Sequence, residues 1–248
     1  VALVILAALG PGLPRAARAV PAEPATRGKA GVVFVVGGVG GIDFLGLAAH
    51  WALPRAGVQH EIRDFVWTHP GRNRYFRDLQ DVRYLVGKAE ELAAEVRRYK
   101  GEHPDRPVYL VGKSGGAGVV LAAAECLPAA TLDRIILLSP AVSPTYDLRP
   151  ALTATKGEII SFYSIYDQFI LGWGTRQFGT VDRFYCPAAG LYGFVVPGRL
   201  GEADRALYQR LVQLPWRPAM IFEGNLGNHT GSSMPGFVGR EVGPWLKP

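Results

Sequence analysis

Pro107-Val108-Tyr109-Leu110-Val111-Gly112-Lys113-Ser114-Gly115-Gly116 is the stretch that decides the fold of this chain. Its first half is a short apolar run that reads as a strand buried on both faces. Its second half fits G-x-S-x-G. The residues that follow, Ala117 to Cys126, are rich in Ala and Val and read as a helix. A strand that runs directly into a glycine-flanked serine, with a helix leaving it, is a nucleophile elbow. The turn is tight and strains the serine backbone. Gly112 and Gly116 leave room for strand and helix to approach. The Ser114 hydroxyl then projects above the carboxyl edge of the sheet, where ligand sites of α/β proteins lie.

Outward from the elbow, strands and helices alternate. Gly31 to Val36 is a β-branched run that reads as a buried strand, and Gly37-Gly38-Val39-Gly40-Gly41 is a loop of wide conformational freedom. A helix follows over Leu45 to Ala56, and His60 to Trp67 alternates as a second strand. Asp81 to Lys100 carries Val82, Leu85, Val86, Ala89, Leu92, Ala93 and Val96 at helical spacing, with Gly101 in the C-cap position. Beyond the elbow, Arg134 to Leu138 and Glu158 to Tyr163 read as strands, and Ala219 to Glu223 as the last. Ala203 to Leu214 and Phe237 to Leu246 read as helices. This alternation predicts a doubly wound, mostly parallel α/β sheet in one domain over residues 31–248. The connections leave little room for a large separate lid. The aromatic stretch over 169–196, with Trp173, Phe178, Phe184, Tyr185, Tyr192 and Phe194, reads first as local packing and alternatively as a cover for the site.

A serine hydroxyl is a poor nucleophile until a base takes its proton. After an elbow of this kind the partners follow in the order Ser, acid, His. Of His50, His60, His69, His103 and His229, only His229 lies beyond Ser114. It sits in Gly224-Asn225-Leu226-Gly227-Asn228-His229, a loop just after the last predicted strand. Asp133, Asp147, Asp167, Asp182 and Asp204 are candidates for the acid. Asp167 is preferred because it follows the end of the strand at Glu158–Tyr163, on the same sheet edge as Ser114; Asp147 is the reserve. Attack on a carbonyl creates an oxyanion that needs two aimed N–H donors. One is expected from Gly115, the residue after the nucleophile, and the other from Val39 in the glycine loop.

Composition narrows the classes of function. The chain has 248 residues, 48% hydrophobic and 19% charged, so it can bury a sizeable core and is too poor in charge to be disordered. Its net charge is +6, but its basic residues are scattered. The loose group Arg72, Arg74 and Arg77 reads as a solvated loop. No basic stripe interleaved with aromatics points to nucleic acid. No apolar run reaches the ~18 residues of a membrane span, so no stable membrane insertion is expected. Two cysteines without a CxxC or Cys/His cluster offer no structural zinc site. Cys126 is expected to be buried on the elbow helix and not to pair with Cys186. Gly112-Lys113-Ser114 echoes the end of a P-loop, but the first glycine of that motif would fall on Pro107. Gly38-x-Gly40 could start a dinucleotide fingerprint, but its last position is Asp43.

Val1 to Leu9 is entirely apolar. Gly10-Pro11-Gly12 then breaks any helix, and Ala17-x-Ala19 is a small-residue cleavage pattern. Residues 1–19 are therefore expected to be the remnant of a secretory signal peptide, and 20–30 a linker. Export to the periplasm or the outside follows if that reading holds; a cytoplasmic location follows if it does not.

The glycine loop, the elbow, Asp167 and His229 in that order resemble the α/β-hydrolase superfamily over roughly Gly31 to the C-terminus. Where many members carry His-Gly-x-Gly, this chain has Gly37 in the first place and Gly38, Val39 and Gly40 after it. Lys113 stands where His often precedes the nucleophile. The resemblance implies a serine hydrolase, most simply of carboxylic esters, small-molecule or lipid-like, with no metal or cofactor. An amidase, thioesterase or acyltransferase would use the same groups, and a noncatalytic binding protein could retain the fold.

Overall fold

In the computed structural model, residues 30–41, 44–71 and 74–247 are described. The expected signal remnant over 1–19 and nearly all of the expected linker over 20–30 lie outside them. The six strands are β1 (Val32–Val36), β2 (Glu61–Phe65), β3 (Val108–Lys113), β4 (Arg134–Leu138), β5 (Ile159–Tyr163) and β6 (Leu211–Pro215). They form one all-parallel sheet in the order β2-β1-β3-β4-β5-β6. The order reverses between β1 and β3, so the loops leaving these two strands diverge and open a crevice at the carboxyl edge. The glycine loop after β1 and the single-residue turn at Ser114 after β3 lie at this crevice.

The unbroken valine run of β1 has a simple cause. Val32, Phe34 and Val36 point into one apolar layer, and Val33 and Val35 into the other. Two helices cover the first face: α3 (Val82–Glu102), through Leu85, Leu92 and Val96, and α4 (Gly115–Glu125), through Val119 and Val120. The second face is covered by α1 (Leu45–Arg55) and by residues 235–246. Pro235–Phe237 is a single α turn, Val238–Val242 a π turn and Gly243–Leu246 a 3-10 turn, so the expected C-terminal helix is helical with mixed pitch. Short helices fill the connections: α2 (Arg74–Gln80), α5 (Arg149–Ala154), α6 (Thr175–Phe178), α7 (Ala189–Tyr192) and α8 (Glu202–Tyr208).

Several expectations need correction. The last strand is Leu211–Pro215, and Ala219–Glu223 belongs to a 3-10 segment, Pro218–Glu223. Only Met220 of that segment is buried, while Ile221 and Phe222 face outward. The expected helix over Ala203–Leu214 stops at Tyr208, where the chain turns to run along β5. β3 continues through Gly112 and Lys113, so Ser114 follows the strand with no intervening loop. Gly101 does not end α3, which runs to Glu102 and stops at His103, the residue before Pro104. Arg74 and Arg77 lie on a helix, not in a solvated loop. Cys126 is exposed beyond the last turn of α4, where its carbonyl accepts from Arg97, and Cys186 is half-buried; both are free thiols.

Candidate active site

Ser114 has φ +53° and ψ −122°, a backbone conformation that L side chains rarely adopt and that costs on the order of 1–3 kcal/mol. The fold holds it there from three sides. Its N–H donates to the Leu138 carbonyl of β4, and its carbonyl accepts from Ala117 and Ala141. The elbow glycines have separate duties. A Cβ on Gly112 would sit 2.8 Å from Ala117 Cα, so Gly112 lets α4 fold back over β3. A Cβ on Gly116 would collide with the carbonyl oxygens of Val36 and Gly37, so Gly116 lets α4 press against the end of β1.

His229 and Asp167 arrive from the far half of the sheet. Asp167 follows β5 and is held by its N–H to the Ser164 carbonyl; its carboxylate is almost fully buried. The loop carrying His229 follows β6 and the 3-10 segment. Asn225 anchors it: Oδ1 accepts from the Gly227 N–H, and the carbonyl accepts from Trp216 Nε1. Gly227 has φ +81°, which permits the sharp bend before His229. The result is a continuous line. His229 Nδ1 lies 2.6 Å from Asp167 Oδ2, and His229 Nε2 lies 3.0 Å from Ser114 Oγ. A carboxylate can only accept, so Nδ1 carries the proton and Nε2 is left to accept from the serine hydroxyl.

The reserve acid is elsewhere. Asp147 is exposed and paired with Arg149, which holds its carboxyl below the usual range. Asp182 is consumed by Ser143, accepting from both its N–H and its hydroxyl. Asp133 accepts from the Val108 N–H at the opposite edge of the sheet, and Asp204 pairs with Arg149.

Gly115 is the first residue of α4, where an N–H has no acceptor within its own helix. Val39 lies in a 3-10 turn, Val39–Gly41, and shares a cavity with Ser114. It packs so closely on Gly115 that a Cβ there would lie 2.7 Å from Val39 Cγ1. The Gly40 N–H is already taken, donating to Asp78 Oδ2 at 2.8 Å.

Two hollows flank the serine–histidine pair. One, of about 220 Å³, opens from Ser114 and is walled by Val39, Tyr75, Phe169, Trp173, Phe178 and Leu171. The other, more open, lies over Asp167, His229, Asn228, Thr230, Tyr166 and Phe169. The stretch over 169–196 thus has both of the roles weighed from the sequence. Leu171, Ala188 and Leu191 form a small core of their own, while Phe169, Trp173 and Phe178 wall the hollow at Ser114. Among the described residues, no group of three or more Asp, Glu, His or Cys side chains is arranged to hold a metal ion, and no helix is long and apolar enough to cross a membrane.

Sequence reasoning missed Asp78 and His69, both buried beside the glycine loop. Asp78 precedes Ser114 and so falls outside the chain-order filter. Its two backbone partners, Gly40 and His69, follow no motif spacing.

No protein-family model matches this sequence, and neither does any curated protein sequence. Among solved structures, the cutinase of Trichoderma reesei is similar at 19% identity and a TM-score of 0.38, over 50% of this chain and 58% of that one. Lysin B of Mycobacteriophage D29 is similar at 17% identity and a TM-score of 0.36, over 46% and 47%. The chain therefore spans about half the length of these two. An esterase of Thermogutta terrifontis is similar at 12% identity and a TM-score of 0.47, over 91% of this chain and 82% of that one. The chain's sheet order, the glycine loop after β1, the elbow after β3 and the histidine loop beyond β6 give this protein the α/β-hydrolase fold.

Proposed function

We propose that this protein is a serine hydrolase of carboxylic esters. The observation that carries the reading is the unbroken line Asp167–His229–Ser114, ending at a strained serine that opens into an apolar hollow. Ser114 Oγ attacks the ester carbonyl carbon and gives its proton to His229 Nε2. Asp167 fixes the tautomer of His229 and stabilises the imidazolium. The carbonyl oxygen becomes an oxyanion and receives the N–H groups of Gly115 and Val39. As the carbonyl re-forms, the C–O bond to the alcohol breaks and His229 returns the proton to that oxygen. A water molecule, deprotonated by His229, repeats the sequence on the acyl-serine and releases the acid.

The two hollows divide the substrate. His229 must reach the departing oxygen, so the alcohol leaves through the open hollow over His229. The acyl group then lies in the apolar hollow against Tyr75, Trp173 and Phe178. That hollow is small beside the roughly 300–1,000 Å³ of drug-sized ligand sites, which favours a short or medium acyl chain.

A fluorophosphonate probe should label the wild-type protein on Ser114, and Ser114→Ala should neither label nor turn over, with its melting unchanged. A folded wild-type protein that resists the probe would favour a noncatalytic binding role. A panel of p-nitrophenyl esters of graded chain length, with matched amides and thioesters, then reads the acyl preference and the bond cleaved. Faster turnover of the amides would replace the esterase reading with an amidase one.

A further inference from the structure

Four of the five residues from Gly37 to Gly41 are glycine, so the loop has almost no side chains by which neighbours can hold it. An oxyanion donor nonetheless has to be held to within about 0.5 Å. Two of the hydrogen bonds that hold the loop come from side chains outside it. Trp67 Nε1–H donates to the Gly37 carbonyl at 2.8 Å, and Asp78 Oδ2 accepts from the Gly40 N–H at 2.8 Å. Val39 lies between these clamps. Gly40 itself has φ +74°, so the amide it offers to Asp78 depends on a left-handed turn that glycine adopts readily.

The second clamp is itself fixed. Asp78 Oδ1 accepts from both the His69 N–H and His69 Nδ1–H, each at 2.8 Å. The His69 ring stacks on Tyr84 with centroids 3.7 Å apart, and its Nε2 faces Asp81 at 3.4 Å. Asp78 and His69 are each only 2% exposed. Among the described residues, His69 is the side-chain partner of Asp78, and no lysine or arginine is paired with it. A buried carboxylate is expensive. This one is satisfied by three donors, and one of the three is the loop that carries Val39.

We propose, resting on the hydrolase reading above, that Asp78 is a positioning residue for catalysis. It touches no substrate. By holding the Gly40 amide, it aims the adjoining Val39 N–H at the oxyanion, and His69 acts only by orienting Asp78.

Asp78→Asn tests this at nearly constant volume. An amide has one oxygen. If that oxygen serves the two His69 donors, an NH₂ faces the Gly40 N–H and the clamp opens. The expected result is a fall in kcat of about 10²–10³-fold, the usual effect of losing one oxyanion donor. KM on a short-chain ester should change little. The inhibition constant of a trifluoromethyl ketone, which forms an oxyanion on Ser114, should rise by the factor that kcat/KM falls. A merely structural role would lower the melting temperature without that proportionality. A folded Asp78→Asn with wild-type kcat, or with reduced kcat and unchanged ketone affinity, overturns the proposal. Should Asp78→Asn not fold, His69→Phe carries the test, because it keeps the ring on Tyr84 and the backbone N–H to Asp78 while it removes the Nδ1–H donor, together with the longer Nε2 contact to the exposed Asp81. It should lower kcat several-fold with the same ketone proportionality, and wild-type kcat in it overturns the proposal. A wild-type protein that neither turns over esters nor labels with fluorophosphonate overturns the hydrolase reading itself, and this proposal with it.

Discussion

Asp167 and Asp147 are the same residue type in opposite surroundings. Asp167 is buried and bonded to His229, whereas Asp147 is exposed and bound to Arg149. Asp167→Asn should therefore lower kcat steeply, by ~10⁴ if the serine-protease case transfers. Asp147→Asn should alter kcat less than about twofold, as expected of a change at a surface ion pair. Steady-state kinetics on the two purified variants decides the matter, and a dead Asp147→Asn beside an active Asp167→Asn would reverse the roles. The hydrogen-bonded line of Ser114, His229 and Asp167 is legible from sequence because chain order and one motif eliminate nearly every competitor. Asp78 is not, since its function lies in accepting from the backbone of Gly40 and His69, and a backbone amide has no signature in a list of side chains.

Among the strands, β1 to β5 were readable in the sequence, the edge strand β2 included, and β6 was not. β1, β3 and β4 are buried on both faces, so their apolar runs are unbroken and flanked by turn residues. β6 is an edge strand, half-buried over Leu211–Leu214 and exposed at Pro215, and Leu211-Val212-Gln213-Leu214 fits a helix face as readily as a strand. The sheet edge overrides the local pattern there, through the pairing of Leu211 to Pro215 with β5. The packing of α4 makes a sharper claim. Gly116→Ala places a methyl group against the rigid carbonyls of Val36 and Gly37, and should cost about 1–3 kcal/mol or more and disable the site. Gly87→Ala, within α3 with nothing near the added methyl, should instead stabilise by about 0.4–1 kcal/mol. Denaturant melts of both variants check the contrast, and equal effects would show that the approach of α4 to β1 is looser than described.

At the scale of the whole molecule, one contribution to acid stability can be traced to His60. His60 is almost fully buried against Tyr109, and burial holds its imidazole below the usual value, opposed by the Leu246 backbone and Asp133. In the unfolded chain it titrates near the ordinary value of about 6.5. The native state thus binds fewer protons than the unfolded one, and the stability that His60 allows is present above about pH 6.5 and is lost as pH falls toward its native pKa. His60→Phe should flatten the decline in melting temperature between roughly pH 7 and pH 5; an unchanged slope would assign the acid sensitivity to other groups. The site has its own whole-molecule property. Ser114 and His229 stand 115 positions apart in the chain, and Asp167 and His229 stand 62 apart. Contacts so distant along the chain repay their loop-closure entropy only after the intervening strands have docked. A nascent chain can have its elbow built while its final strand is still being synthesised, and under the proposed hydrolase mechanism it is chemically inert until β6 joins the edge and brings the histidine loop across. Under that mechanism, turnover is a late clock for this molecule, marking the moment the last strand arrives.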